Sequence, residues 1–233
     1  MKQQTQGIFI HKTSYSENSL IVSFFTLDAG LQRFLFQGGK KKAAALYPCS
    51  VCELTFYKRP DSDLGKLTEA HVTLALQQIP FNPVHSTVAF FIADVMRNVL
   101  KSEDEDRSMF RFLVDSIEKL DLLNEEELSL AVIYFLLKLS DKLGIEPQAE
   151  ISQKRYFLPA EGVFSDIERM DTITRTGPGV DLIQNLLMEE QMTYVSAEAK
   201  REALDLLLMY FQLHLPSFKV DRTLEVIREI LYH

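Results

Sequence analysis

The stretch Ser16–Lys42 reads SENSLIVSFFTLDAGLQRFLFQGGKKK and decides the fold of the N-terminal part of the chain. Its segment Leu20–Leu27 is rich in β-branched and aromatic residues, as a buried strand requires. Asp28-Ala29-Gly30 predicts a tight turn, because glycine adopts positive φ without steric cost. The alternating segment Leu31–Phe36 predicts a second strand, which leads into the basic cluster Gly38–Lys42. The stretch therefore predicts a β-hairpin followed by a basic loop.

Three further segments of the first eighty residues have the alternation or the composition of strands. They are residues 5–12, Val51–Tyr57 and Lys66–Leu74. Five short strands joined by turns, with little room for a crossover helix, predict a small antiparallel barrel. A five-stranded OB-fold is the leading interpretation. An SH3-like barrel has the same number of strands, and the pattern alone leaves it open.

Helical periodicity replaces the strand pattern from Asn82 onward. Asn82 is a suitable N-cap, and Pro83 occupies the first helical position, where its missing N–H costs nothing. Asn124 and Glu127 have the spacing of a capping box at the start of a later helix. The chain beyond the barrel is therefore expected to be built from helices.

The resulting organisation is an α+β chain with two domains. We expect an OB-fold nucleic-acid-binding domain over residues 1–80 and an all-α domain over residues 81–233. Aromatic residues, prolines and glycines break the helical pattern at about 148–178, where we expect a loop-rich interruption.

Charge is unevenly distributed along the 233 residues, whose net charge is −8. Residues 1–80 carry nine lysines and arginines against six acidic residues, so the remainder is strongly acidic. A basic segment in an acidic chain suggests an electrostatic partner for that segment. No apolar run reaches the roughly 18–20 residues that span a bilayer, and the N-terminus does not resemble a secretory signal. We therefore expect a cytoplasmic protein.

The basic residues of the predicted barrel are candidates for phosphate contacts, because glycines allow close backbone approach and lysines supply charge. The candidate DNA-binding residues are Arg33, Lys40, Lys41 and Lys42, with Lys12, Lys58, Arg59 and Lys66 as outer contributors. Four aromatic residues lie on the strands nearby: Phe34, Phe36, Phe56 and Tyr57. Exposed ones can stack on bases, whereas strand alternation favours the core for most of them. A solvated loop is the alternative for the lysine cluster.

Motifs of catalysis and metal binding are not found in the sequence. There is no Walker loop, GxGxxG, HExxH or GxSxG pattern, so we expect no enzyme activity and no cofactor. Cys49-x-x-Cys52 lacks the second ligand pair of a structural zinc site, and the five histidines are scattered. We therefore expect no metal site.

Several short segments resemble, in order, the N-terminal pattern of the RecO recombination mediator family. They are Tyr15–Val22 (YSENSLIV), Phe25–Gly30 (FTLDAG), Gly39–Lys42 (GKKK), Leu46–Pro48 (LYP) and Leu64–Ala70 (LGKLTEA). The resemblance implies an N-terminal OB-fold, a helical C-terminal domain and no catalytic centre. It also implies binding of single- and double-stranded DNA, annealing of complementary strands, and action with RecR in loading RecA onto DNA coated by single-stranded DNA-binding protein.

The interruption at about 148–178 departs from the family pattern. Many relatives carry a four-cysteine zinc motif there, whereas this segment contains no cysteine. The segments Tyr156–Pro159 and Gly162–Phe164 resemble a remnant of the motif. We therefore expect no zinc, and a loop that is held by the packing of Tyr156, Phe157 and Phe164.

A second hypothesis is a protein–protein adaptor whose helical domain docks partner peptides, with little direct DNA binding. In the family, this domain receives the acidic C-terminal tail of single-stranded DNA-binding protein. Such a tail needs an apolar groove edged by cations. Lys138 and Lys142, one turn apart on the predicted helix, are the candidates for that edge, and ordinary surface lysines are the alternative.

Overall fold

A computed structural model describes residues 2–38, 43–59, 62–100, 105–149, 154–190, 192, 194–220 and 222–232. The chain divides into two compact units, Met1–Leu123 and Asn124–His233. Among the described residues, the first unit contains a β-barrel, a short 3-10 helix (Ala43–Ala45) and two α-helices. The second contains the remaining helices and a small two-stranded sheet.

Five strands form a closed barrel in the first unit. They are β1 (Lys2–Ser14), β2 (Ser19–Thr26), β3 (Gly30–Gln37), β4 (Val51–Tyr57) and β5 (Leu64–Val72). Their order around the barrel is β1-β2-β3-β5-β4, and β4 pairs with β1 to close it. The predicted strands and the Gly30 hairpin are confirmed, with Gly30 at φ 62°. This closed five-stranded barrel is OB-like.

One detail of the predicted barrel is wrong, because β3 pairs with β5 in parallel. All other pairings in the barrel are antiparallel. An odd number of strands in a closed ring cannot alternate in direction at every pairing. At least one parallel pair is therefore required, and the pairing of β3 with β5 supplies it.

Aromatic rings fill the inside of the barrel. Their edge-to-face contacts place centroids 5.3 Å apart for Phe9–Phe24 and 4.9 Å apart for Phe34–Phe56. Of the four aromatic residues considered from the sequence, Phe34, Phe36 and Phe56 are buried in this core, and Tyr57 is 46% exposed. Core packing is therefore the role of three of them, and Tyr57 alone remains available for a ligand.

The first helix, α1 (Pro83–Val99), packs against β1. Its first turn is capped by the Asn82 side chain, which accepts hydrogen bonds from the backbone N–H groups of Val84 and His85. The predicted cap and the position of Pro83 are therefore confirmed. The Cys49 thiol donates to the carbonyl of Ala89 on this helix at 3.4 Å. Burial raises the pKa of that thiol to about 12, which leaves it protonated at neutral pH.

The second helix, α2 (Arg107–Leu122), holds the segment that connects the barrel to α1. The buried Asp121 carboxylate accepts hydrogen bonds from the backbone N–H groups of Gln77, Gln78 and Ile79, at 2.6, 2.9 and 2.7 Å. Three donors on one carboxylate fix the path of the connection.

The second unit begins with α3 (Glu125–Lys142), whose capping box is formed by Asn124 and Glu127 as predicted. The later elements are β6 (Tyr156–Leu158), β7 (Val163–Ser165), α4 (Pro178–Leu187), α5 (Ala197–His214) and α6 (Arg222–Leu231). Helix α5 packs against both α3 and α4. In the described part of the chain, none of the helices combines the length and the apolar character needed to cross a membrane.

The interruption near residue 155 is a small substructure in which β6 and β7 pair antiparallel. The rings of Phe157 and Phe164 are buried, with centroids 4.6 Å apart, and Tyr210 of α5 lies 5.8 Å from Phe157. These two phenylalanines therefore pack as predicted. Tyr156 is only partly buried and faces the Arg155 guanidinium.

Replacement of Gly65 by alanine tests the close packing inside the barrel. A methyl group at this position would lie 2.6 Å from Cδ1 of Phe34, whose ring is fully buried. We expect Gly65→Ala to lower the free energy of unfolding by about 1–3 kcal/mol, because overpacking forces neighbours to move. Chemical denaturation measures the loss. The same substitution in a Phe34→Leu background should cost less, and an equal cost in both backgrounds would contradict the assigned contact.

Replacement of Asp121 by alanine tests the bond to the connecting segment. The change leaves three backbone donors without their carboxylate, so we expect a loss of about 2–4 kcal/mol in the free energy of unfolding. Asp115, exposed on the same helix, provides the matched control. Asp115→Ala should change the stability by less than about 0.5 kcal/mol. Equal losses in the two variants would show that the carboxylate of Asp121 has no special role.

Candidate nucleic-acid interface

Strand register sorts the outward-facing side chains of the barrel into rows. One row, here called the Arg33 row, crosses four strands and consists of His11, Ser23, Arg33 and Leu64. The next, here called the Lys66 row, consists of Thr13, Ile21, Leu35, Lys66, Tyr57 and Lys2. Side chains that are directly paired on neighbouring strands share one face, so each row forms a continuous strip on the barrel surface.

Two of the predicted DNA-binding residues come together on this surface. Arg33 on β3 and Lys66 on β5 are exposed and lie in adjacent rows of the parallel strand pair. They are far apart in the sequence, and the pairing of β3 with β5 makes them diagonal neighbours. Two neighbouring cations can each neutralise a phosphate of one nucleic-acid strand.

The charge of the Arg33 row comes from Arg33. Burial lowers the pKa of His11 from its ordinary value, and the positive charge of the nearby Arg97 lowers it further. The negative charge of Asp94 partly opposes this shift. His11 is therefore neutral at physiological pH and adds no positive charge to the surface.

Lys12 is separated from Arg33 and Lys66. It pairs with Val22, whose side chain is in the barrel core, so Lys12 is on the core-facing side of β1, but it lies near the end of the strand and is exposed. Its Nζ donates to the carbonyl of Ala43 at 3.4 Å. Ala43 directly follows Lys42 in the sequence, and the predicted residues Lys40, Lys41 and Lys42 lie outside the described part of the chain.

Lys58 and Arg59 follow β4 at its C-terminal end. The Nζ of Lys58 donates to Oε1 of the buried Gln32 at 2.5 Å, so this lysine is partly committed to the barrel itself. Arg59 is exposed. Of the pair, Arg59 is therefore the better candidate for a contact with DNA.

Two residues of the Lys66 row, Tyr57 and Lys2, are not among the predicted DNA-binding residues, although Tyr57 is one of the four aromatic residues considered for base stacking. Tyr57 pairs with Lys66 on one side and with Lys2 on the other. The alternation of Cys52, Leu54 and Phe56 toward the core carried a signal that Tyr57 faces outward. Lys2 gave no comparable signal, because the predicted first strand began at residue 5, whereas β1 begins at Lys2.

The surface becomes acidic beyond the Lys66 row. Glu69 pairs with Thr55, and Glu53 pairs with His71, on the same two strands β4 and β5. Both glutamates are exposed, and Glu69 lies 3.7 Å from His71. These carboxylates repel phosphates, so they limit an anionic ligand to the two basic rows.

The second predicted site, on α3, has mixed charge. Lys138 is partly buried with its Nζ 5.4 Å from the ring centroid of Tyr134, and Lys142 is exposed one turn later. Desolvation by burial raises the pKa of Glu146, the charge of Asp141 raises it further, and Lys138 opposes the shift. The two acids near the lysines make this edge less suited to an acidic peptide.

A cavity of about 320 Å³ lies between α4 and α5 of the second unit. The carboxylates of its lining are engaged within the protein, because Glu202 accepts the backbone N–H of Gly179 at 3.1 Å and Asp205 binds Arg228. The exposed Arg175 also lines the cavity, and it donates to the carbonyl of Thr174 at 3.0 Å and to Sδ of Met209 at 3.7 Å. Within the described residues, no cluster of three or more histidine, cysteine or acidic side chains is arranged to hold a metal ion.

The fold defines the chain as an OB-like barrel protein with a helical C-terminal part, and the Arg33 and Lys66 rows give the barrel a basic surface. Comparison with known families gives a match over both parts. Residues 1–75 match the family model described as "Recombination protein O N terminal", and residues 80–222 match "Recombination protein O C terminal". The chain therefore belongs to the RecO family of DNA repair proteins.

Curated relatives are similar over nearly their whole length. A protein of Christiangramia forsetii named "DNA repair protein RecO" is 28% identical over 236 residues, which cover 97% of this chain and 98% of the relative. A protein of Phocaeicola vulgatus with the same name is 27% identical over 247 residues, with 99% of both chains covered. The family assignment thus extends over the barrel and the helices.

Proposed function

We propose that this protein is a non-catalytic mediator of DNA repair and recombination that binds single- and double-stranded DNA through its barrel. In this proposal it promotes annealing of complementary strands in the cytoplasm and helps RecR load RecA onto DNA coated by single-stranded DNA-binding protein. The observation that carries the DNA-binding part is the placement of Arg33 and Lys66 in adjacent rows of an OB-like barrel. The RecO family match supports the wider role.

Phosphate neutralisation is the physical basis of the proposed binding. Exposed cations release the counterions of the nucleic acid, which makes affinity independent of sequence and strongly dependent on salt. Annealing requires only that the repulsion between two phosphate backbones is screened while the bases stay free to pair. A basic strip on one sheet face meets that requirement without any covalent step.

The acidic remainder of the chain favours a confined binding site. The whole chain carries 33 acidic residues against 25 lysines and arginines, although residues 1–80 are net positive. A negative potential elsewhere on the protein repels DNA from those surfaces. DNA is therefore expected to bind at the barrel and not to coat the protein.

An adaptor role for the helical part is the second candidate. The cation–π contact between Lys138 and Tyr134 gives α3 a cationic and aromatic surface that can receive a peptide. Its partner in this proposal is the C-terminal tail of single-stranded DNA-binding protein. The nearby Asp141 and Glu146 count against it, since both would repel an acidic tail.

Salt-dependent binding of a single-stranded oligonucleotide separates the two roles. We expect the intact protein to lose affinity steeply with salt, and Arg33→Ala/Lys66→Ala to lower the log–log slope by about 1.4, or about 0.7 per lost contact. Fluorescence anisotropy between about 50 and 200 mM salt measures both slopes. Lys138→Ala/Lys142→Ala removes the same charge from α3 and is the matched control.

The control variant should bind the oligonucleotide as the intact protein does. Equal losses in the two double variants would show that only net charge matters and would remove the barrel assignment. Absence of salt-dependent binding by the intact protein would contradict direct DNA binding altogether. The variant Lys40→Ala/Lys41→Ala/Lys42→Ala, tested in parallel, measures the contribution of the predicted basic loop.

A further inference from the structure

Tyr57 occupies a position in the barrel surface that core packing does not explain. Its neighbour Phe56 lies in the core, whereas Tyr57 faces outward and is 46% exposed. An exposed ring at the end of a central strand contributes little to stability. Its surroundings therefore determine what it can bind.

Lysines flank Tyr57 on both neighbouring strands. Lys66 of β5 and Lys2 of β1 are its direct antiparallel partners. Directly opposed residues in such pairs have Cβ atoms about 4.5–5.5 Å apart, so the Tyr57 side chain leaves the sheet between two lysine side chains on one face. The three residues form a Lys-Tyr-Lys triplet across three strands, which none of their positions in the sequence reveals.

The strand end that carries Tyr57 is held in place. The following residue, Lys58, is hydrogen-bonded to the buried Gln32. Two residues before Tyr57, Thr55 is buried and accepts the Nε2–H of Gln4 at 3.4 Å from the adjacent strand. Because the backbone that carries the ring is already ordered, less conformational freedom is lost when the ring stacks on a planar ligand.

Charge selects the class of ligand. The triplet is cationic, and the exposed Glu69 lies in the row on one side of it. Arg33 lies in the row on the other side, so an anionic chain is directed from the triplet toward Arg33 and away from Glu69. A ligand that offers planar rings and regularly spaced negative charges fits both features. Single-stranded nucleic acid has this chemistry, since its bases are free to stack on aromatic side chains.

We propose that Tyr57 stacks on an unpaired base while Lys2 and Lys66 neutralise the flanking phosphates. The triplet then adds affinity for single strands that a duplex does not gain, since the bases of a duplex are already stacked on each other. This inference rests on the proposed DNA-binding function and adds to it the residue that distinguishes single from double strands.

A tryptophan reporter tests the stacking directly. The chain contains no tryptophan, so Tyr57→Trp creates a single indole at the triplet. Stacking on a base quenches indole fluorescence, and we expect quenching on addition of an oligo-dT single strand but not of a duplex of the same length. Tyr134→Trp is the matched control, because Tyr134 is 45% exposed and also lies beside a lysine, Lys138. Its fluorescence should not change.

Affinity measurements with the ring removed give a second test. Tyr57→Ala should weaken single-strand binding by about 5- to 150-fold, the range for loss of one base–aromatic stack, with the salt slope and duplex affinity unchanged. Tyr57→Phe should bind as the unchanged protein does. Lys2→Ala should instead lower the single-strand salt slope by about 0.7.

Failure of this inference is distinguishable from failure of the proposed function. If the unchanged protein binds oligo-dT with the expected salt dependence, but Tyr57→Trp is not quenched and Tyr57→Ala binds normally, the stacking role is wrong and DNA binding stands. Loss of duplex affinity equal to that for single strands would overturn the selectivity. Quenching of Tyr57→Trp by polyglutamate and not by oligo-dT would assign the triplet to an acidic protein partner.

Discussion

Closure of a five-stranded barrel is the constraint on which the rest of the first unit depends. Five strands cannot close with antiparallel pairs alone, and the parallel pairing of β3 with β5 resolves the conflict. That pairing sets the register between the two strands. It opposes Phe34 and Gly65, and the missing side chain of Gly65 leaves the space that the ring of Phe34 fills. Core packing and closure are therefore a single requirement.

The same register creates the basic surface. Because side chains alternate along a strand, the residues between the core positions must face outward. Placing Phe34 inside puts Arg33 outside, and placing Leu67 inside puts Lys66 outside, so that closure brings two distant cations together. The placement of these two cations is thus a consequence of the barrel and needs no additional structure.

Much of the fold follows from local chemistry in the sequence. The Gly30 turn and the caps at Asn82 and Asn124 depend on residues within four positions of each other, so pattern reasoning finds them. The parallel pair was missed because alternation predicts each strand separately and does not say how the strands pair. An odd number of strands in a closed barrel already requires one parallel pair. The bonds of Asp121 to a segment more than forty residues earlier leave no local signal.

The candidate site was also predicted only in part, because its residues come together through strand pairing and not through a local pattern. Arg33 and Lys66 were found as basic residues on strands, but charge alone did not separate them from Lys12, which donates to the carbonyl of Ala43, or from Lys58, which donates to Gln32 of β3. That separation depends on which face each residue occupies after closure. The partnership of Tyr57 with Lys2 depends on β1 pairing with β4 as well as β2, which only the closed barrel defines.

We propose that DNA binds the outer face of β3, β4 and β5. Backbone amide chemical shifts of the ¹⁵N-labelled protein, recorded by NMR during titration with a short single strand, test it most directly. We expect the largest changes to cluster at Arg33, Leu35, Tyr57 and Lys66, with α3 and α5 unperturbed. Changes confined to residues 124–233, with the barrel amides unmoved, would contradict it.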